Sequence, residues 1–196
     1  MSSPTDDPWA GLRAFTAARI ALGRTGTSVP VAEALAFRLA HAHARDAVYS
    51  ALDLEGLRVA LAPQGLPLLQ VHSAAPDRPA YLRRPDLGRQ LAPECQSVLA
   101  DYPGPCDLAI VLADGLSATA ANQHGPPLLA ALLPALRAAG LRLGPLVLAT
   151  QARVALADAV GQALGAQLVL LLLGERPGLS APDSLGAYLT YAPYPG

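Results

Sequence analysis

Leu168 to Leu173 reads LVLLLL, an apolar run with no polar residue alternating into it. A strand with one solvated face alternates, so an unbroken run marks a strand covered on both faces, as in a parallel sheet between helix layers. The run breaks at Gly174-Glu175-Arg176-Pro177-Gly178. Pro177 fixes its own φ and holds Arg176 extended, so the chain leaves the sheet without entering a helix at once. Glycines on both sides of Glu175 and Arg176 permit close approach of a ligand or partner. Ligands of open α/β sheets sit beyond the carboxyl ends of the strands, which is where Glu175 falls. The plain alternative is a polar loop with a surface ion pair.

The second half of the chain repeats this pattern. Leu108 to Leu112 reads as a buried strand ending in Ala113-Asp114-Gly115-Leu116-Ser117. A helix is expected from Leu128 to Ala139, entered through Gly125-Pro126-Pro127 and stopped by Gly140. Pro145 to Thr150 is a second strand, ending in Gln151-Ala152-Arg153-Val154, and Ala155 to Leu164 a second helix. With Leu168 to Leu173, the order is strand, helix, strand, helix, strand. That spacing predicts two right-handed crossovers and a parallel sheet whose three strand ends share one side. The fold class expected is α/β, a Rossmann-like parallel sheet with flanking helices.

The first half is less regular. Residues 1–8 read as a polar arm, and Trp9 to Leu22 places apolar residues near helical spacing. Ser28 is the expected cap, and Pro30 the first turn, of a helix through Ser50. On that helix Arg38, His41 and Arg45 share a face, which is either solvated or a subunit contact. His41 and His43, two apart, diverge on a helix and make a poor metal pair. Residues 53–66 are short helix or loop, Leu68 to Ser73 a strand, and Pro76-Asp77-Arg78 a turn. A helical pattern follows from Arg89 to Leu99, with Arg83, Arg84 and Arg89 read as exposed charges. The division expected is an N-terminal arm and helical segment, residues 1–60, and an α/β domain, residues 61–196.

Composition narrows the function. With 196 residues, 52% hydrophobic, the chain can bury a sizeable core. A formal net charge of −1 gives no electrostatic reason to expect nucleic acid. The basic residues are all arginine, so a lysine-containing phosphate loop cannot occur, and no G-x-G-x-x-G follows a strand. Gly115-Leu116-Ser117-Ala118 lacks the second glycine of a nucleophile elbow, and no acid and histidine follow in the required order. Cys95 and Cys106 fit neither a metal nor a redox motif. No signal peptide begins the sequence and no apolar run spans a bilayer, so a cytoplasmic, membrane-free protein is expected. No residue stands out as catalytic.

Five blocks carry a resemblance: DPWAGLRAFTAARIALGRTGTSVP (Asp7 to Pro30), LAFRLAHAHARDAV (Leu35 to Val48), YLRRPDLGRQL (Tyr81 to Leu91), DLAIVLADGLSA (Asp107 to Ala118) and GERPGLSAPDSLGAYLTYAP (Gly174 to Pro193). In this order they closely resemble the small subunit of ethanolamine ammonia-lyase. The resemblance implies a hetero-oligomer with a large, barrel-shaped subunit that splits ethanolamine into acetaldehyde and ammonia with adenosylcobalamin. It implies that the α/β domain caps the cofactor, that Val154 and Glu175 contact it, and that residues 1–60 touch the large subunit. It implies a cytoplasmic complex, in some bacteria inside a microcompartment. The family continues past the YLTYAP strand with a segment carrying an Asn and a cobalamin-contacting Cys. Here the sequence stops at Tyr194-Pro195-Gly196, so a chain lacking the family's C-terminal end is expected, and neither cysteine replaces the missing one by position. The residues read without the resemblance leave open a stand-alone α/β ligand-binding or interaction module.

Overall fold

The computed structural model describes residues 7–102 and 104–195. Five strands form one sheet: β1 (Leu68–His72), β2 (Leu108–Ala113), β3 (Leu143–Thr150), β4 (Leu168–Gly174) and β5 (Leu185–Tyr191). Their spatial order is β1-β3-β2-β4-β5; the first four run parallel and β5 is antiparallel to β4. Six α-helices accompany them: α1 (Val31–Tyr49), α2 (Leu54–Leu61), α3 (Arg78–Arg83), α4 (Cys95–Ala100), α5 (Ala118–Ala138) and α6 (Leu156–Ala163).

Both faces of the parallel strands are covered, as the unbroken apolar runs require. Ile110, Leu112, Leu148 and Leu172 pack with Leu57, Leu61, Leu129 and Leu133 under α2 and α5. Ala109, Val111, Val147, Val169 and Leu171 face the other way, onto Cys95, Leu99, Leu156 and Val160 of α4 and α6. The crossover from β2 to β3 uses α5 on one face. The crossover from β3 back past β2 to β4 uses α6 on the other. Reversing both direction and face preserves one hand, as expected of parallel units. At the amino end of β3, Pro145 lacks the N–H a central strand needs. The β2–β3 register shifts between Leu108 and Ile110, so the proline sits at an irregularity where no ladder donor is required.

Several elements differ from the sequence expectations. Helix α5 begins ten residues early, at Ala118, and carries Pro126, Pro127 and Pro134 inside it. Ser117 caps it, its Oγ accepting from the Ala120 N–H at 3.3 Å. The buried residues Ala118, Ala120 and Ala121 and the seat of Gly125 on Leu112 hold this first stretch against the sheet. Tertiary packing thus outweighs the donors the prolines remove. Pro76-Asp77-Arg78 is not a free turn: Asp77 caps α3, its Oδ1 accepting from Ala80 N–H at 2.7 Å. The helix expected from Arg89 is a 3-10 turn (Leu87–Arg89) and then the short α4.

Of the stretch from Trp9 to Leu22 only Ala10–Phe15 is helical, as a 3-10 turn with no buried residue. Ser28 does not cap α1; it bridges to Thr25, and Pro30 holds the N-cap position. Ala47 is the one buried residue of α1. The expected polar arm, residues 1–8, lies outside the described residues except for Asp7 and Pro8, as does Gly196. No described helix is long and apolar enough to cross a membrane.

Candidate functional site

The carboxyl ends of β2, β3 and β4 come together, and buried contacts fix them. Asp114, 3% exposed, follows β2. Its Oδ2 accepts from the Gln151 N–H at 2.8 Å and its Oδ1 from the Ala152 N–H at 3.1 Å, which ties β2 to the end of β3. Arg78 closes the same point from α3. Its Nη1 donates to Gly115 O at 2.8 Å and Gln151 Oε1 at 3.3 Å and lies 3.4 Å from Asp114 Oδ2, while its Nε donates to Val48 O at 2.7 Å. In doubly wound sheets a ligand usually enters where neighbouring crossovers leave to opposite faces. Here that point lies between β2 and β3, and Asp114 with Arg78 fills it. Burial pushes the Asp114 carboxyl up from its ordinary value, against the backbone N–H groups and the guanidinium that draw it down.

Beneath this cluster Tyr81 is fully buried, with the guanidinium carbons of Arg78 and Arg153 at 4.7 and 4.4 Å from its ring centroid. Arg78 Nη2 and Arg153 Nε have no hydrogen-bond partner among the described residues. The ring's π face takes part of that role. The Tyr81 hydroxyl donates to Ala152 O at 3.0 Å. Between Asp114 and Tyr81 the β3 exit has no freedom, and Gln151 is held at a φ of 53°, a conformation that costs a non-glycine residue energy. Val154, three residues on and 40% exposed, is the apolar group this scaffold presents.

Glu175 leaves β4 on the other flank. Gly115 and Gly174 let β2 and β4 meet there: a Cβ on Gly115 would lie 2.1 Å from Gly174 O, and one on Gly174 2.0 Å from Ser117 O. The Glu175 N–H donates to Ser184 O at 2.8 Å, and its carboxylate accepts from the Tyr188 hydroxyl of β5. Glu175 and Arg176 do not pair with each other, so the surface ion pair of the plain reading does not form. The loop beyond is pinned: Ser117 Oγ donates to Pro182 O at 2.8 Å, and His124 Nε2 lies 3.0 Å from Asp183 Oδ2. Arg176 lines a groove of about 390 Å³ against His41, Arg45 and Tyr49 of α1. On the β1 side a cleft of about 550 Å³ is lined by His72, Ser73, Glu94, Thr150 and Gln151.

Over residues 6–196 the sequence matches the family described as ethanolamine ammonia-lyase light chain (EutC). The chain belongs to the ethanolamine ammonia-lyase light-chain family. Among its relatives are proteins named ethanolamine ammonia-lyase small subunit from Ralstonia nicotianae, Pseudomonas fluorescens and Azotobacter vinelandii. They are 53%, 55% and 53% identical, over 98%, 97% and 100% of this chain and 73%, 72% and 74% of theirs.

For a light chain of this family, Val154 and Glu175 were the expected contact residues. The fold brings both to the carboxyl end of the sheet, one after β3 and one after β4. Arg38 is not part of the groove formed by His41 and Arg45; it lines a separate depression with Arg19 and Phe37. Arg83, Arg84 and Arg89 are exposed, as read. Sequence reasoning missed Arg78, Tyr81, Arg153 and Tyr188, which act through contacts distant in the chain. Asp77 followed by Pro79 was the available signal for Arg78, since it marks a helix start rather than a turn.

Proposed function

We propose that the chain is the cofactor-capping small subunit of an adenosylcobalamin-dependent ethanolamine ammonia-lyase. It works in a cytoplasmic hetero-oligomer with the large subunit, which deaminates ethanolamine to acetaldehyde and ammonia; in bacteria that build one, the complex resides in a microcompartment. Family membership supports the reaction class. The observation that carries the capping role is the placement of Glu175 and Val154 on one rigid end of the sheet.

The donor set fits the group. One oxygen of Glu175 is engaged by Tyr188, and the other accepts no hydrogen bond among the described residues, so a carboxylate acceptor is available. Corrin side-chain amides and ribose hydroxyls are the matching donors. Val154 adds apolar contact and backbone groups. When bound, adenosylcobalamin supplies the carbon radical that the rearrangement needs. The residues of this chain bind and orient the cofactor and keep water from it. None is assigned to bond breaking. Residues 61–196 form the cap in this reading, and residues 1–60 contact the large subunit. Nine of the seventeen large apolar side chains exposed among the described residues lie between Trp9 and Tyr49, which supports that contact.

Spectral titration with adenosylcobalamin tests the reading, comparing the large subunit alone with the large subunit co-expressed with this chain. Binding is expected to depend on this chain, and Glu175→Ala to weaken it by roughly tenfold, the effect of losing a hydrogen bond to a charged group. Unchanged affinity without this chain would exclude the capping role.

A further inference from the structure

Gly186 interrupts β5 at a position where the backbone does not ask for glycine. Its φ is not positive, and a glycine inside a strand weakens it unless something must approach closely. Here that something is Glu175. A Cβ on Gly186 would lie 2.0 Å from Glu175 Oε1 and 2.9 Å from its Cδ. The β4–β5 register explains the fit: Leu171 pairs with Tyr188 and Leu173 with Gly186, while the Glu175 N–H reaches Ser184 O. On this face Glu175 therefore turns back over the empty position at Gly186 and meets the hydroxyl of Tyr188, two residues further along the same side. Tyr188 itself packs against the core under α4 and α6, which fixes its ring.

We propose that Gly186 and Tyr188 are positioning residues for Glu175. Together they immobilise one carboxylate oxygen so that the other is presented in a single orientation to a hydrogen-bond donor on the cofactor. This rests on the capping role above. Pre-organisation of this kind raises affinity because the side chain loses no further rotamer freedom on binding. The hydrogen bond to Glu175 also pushes the Tyr188 phenol above its ordinary value, as expected of a phenol that keeps its proton to donate.

The test is adenosylcobalamin titration of the complex with the large subunit, carrying Tyr188→Phe, Gly186→Ala, Glu175→Ala, or either of the first two combined with Glu175→Ala. Tyr188→Phe is expected to weaken binding about fivefold, and Gly186→Ala at least as much, with kcat at saturating cofactor nearly unchanged. In the Glu175→Ala background neither should weaken binding further, because no carboxylate remains to be positioned. Gly186→Ala should also regain thermal stability there, since the added methyl has room. Tyr188→Phe with wild-type affinity, alongside a weakened Glu175→Ala, overturns the proposal while leaving the capping role intact. An equal loss from Tyr188→Phe with and without Glu175 also overturns it, marking a structural role only. Wild-type affinity in Glu175→Ala overturns the site itself, and the positioning with it. If Tyr188→Phe does not fold, Gly186→Ala decides by the same pair of comparisons.

Discussion

Tyr81 is fully buried with the guanidinium groups of Arg78 and Arg153 over its ring. Burial pushes its phenol up to about 12; the nearby Arg153 and Arg78 work in the opposite direction and Asp114 reinforces the rise. In the unfolded chain the same group ionises near 10. The folded state therefore holds this proton where the unfolded state releases it. The contribution is complete below about pH 10 and is lost as pH rises toward 12. Spectroscopic titration should find the Tyr81 phenol ionising above its unfolded value of about 10, coincident with alkaline unfolding. Tyr81→Phe should remove that step and lower stability by about 1 kcal/mol, the net value of its bond to Ala152 O. Arg78 is a more severe case. Arg78→Ala leaves the Asp114 carboxylate buried without its cation, and a loss of roughly 3–5 kcal/mol in denaturant unfolding is expected.

At the level of elements, helix α5 depends on Ser117 more than on its own sequence. The hydroxyl caps the helix and donates to Pro182 O, so one atom joins the helix start to the loop that follows Glu175. Ser117→Ala should cost about 1–2 kcal/mol, near the upper range for a cap, and should raise hydrogen exchange in the 178–184 loop as well as at the start of α5. This helix also marks how far sequence can be read. Strands β2, β3 and β4 were legible within two residues because burial on both faces leaves unbroken apolar runs at Leu108, Pro145 and Leu168. Helices α5 and α3 were misjudged because proline carries a strong local signal, and only the packing of Ala118 to Ala121 and the cap of Asp77 overrule it. The site divides in the same way. Glu175 and Val154 follow strands and could be placed from the pattern plus resemblance. Arg78, Tyr81 and Tyr188 reach it across 13 to more than 70 residues, and no local pattern encodes such contacts.

For the molecule as a whole, the two halves are unequally covered. The central strands β2, β3 and β4 are covered on both faces, whereas Trp9, Phe15, Val31, Leu35, Leu39 and Tyr49 stand in solvent. Hydrogen exchange of the isolated chain should be fast over residues 9–29 and slow in β2, β3 and β4; adding the large subunit should protect the N-terminal segment first. The order of the strands has a further consequence, for how the protein is made. β1 has no neighbour in the sheet until β3 has left the ribosome, and β2 gains its second neighbour only with β4. The buried strands must therefore wait, with open hydrogen-bonding edges, while helices form around them. Strand β5, which follows β4, brings Gly186 and Tyr188 to Glu175. A chain halted before β5 could assemble the interior between β1 and β4 and still lack the seated carboxylate, and under the capping role proposed above it would be expected to hold the cofactor weakly.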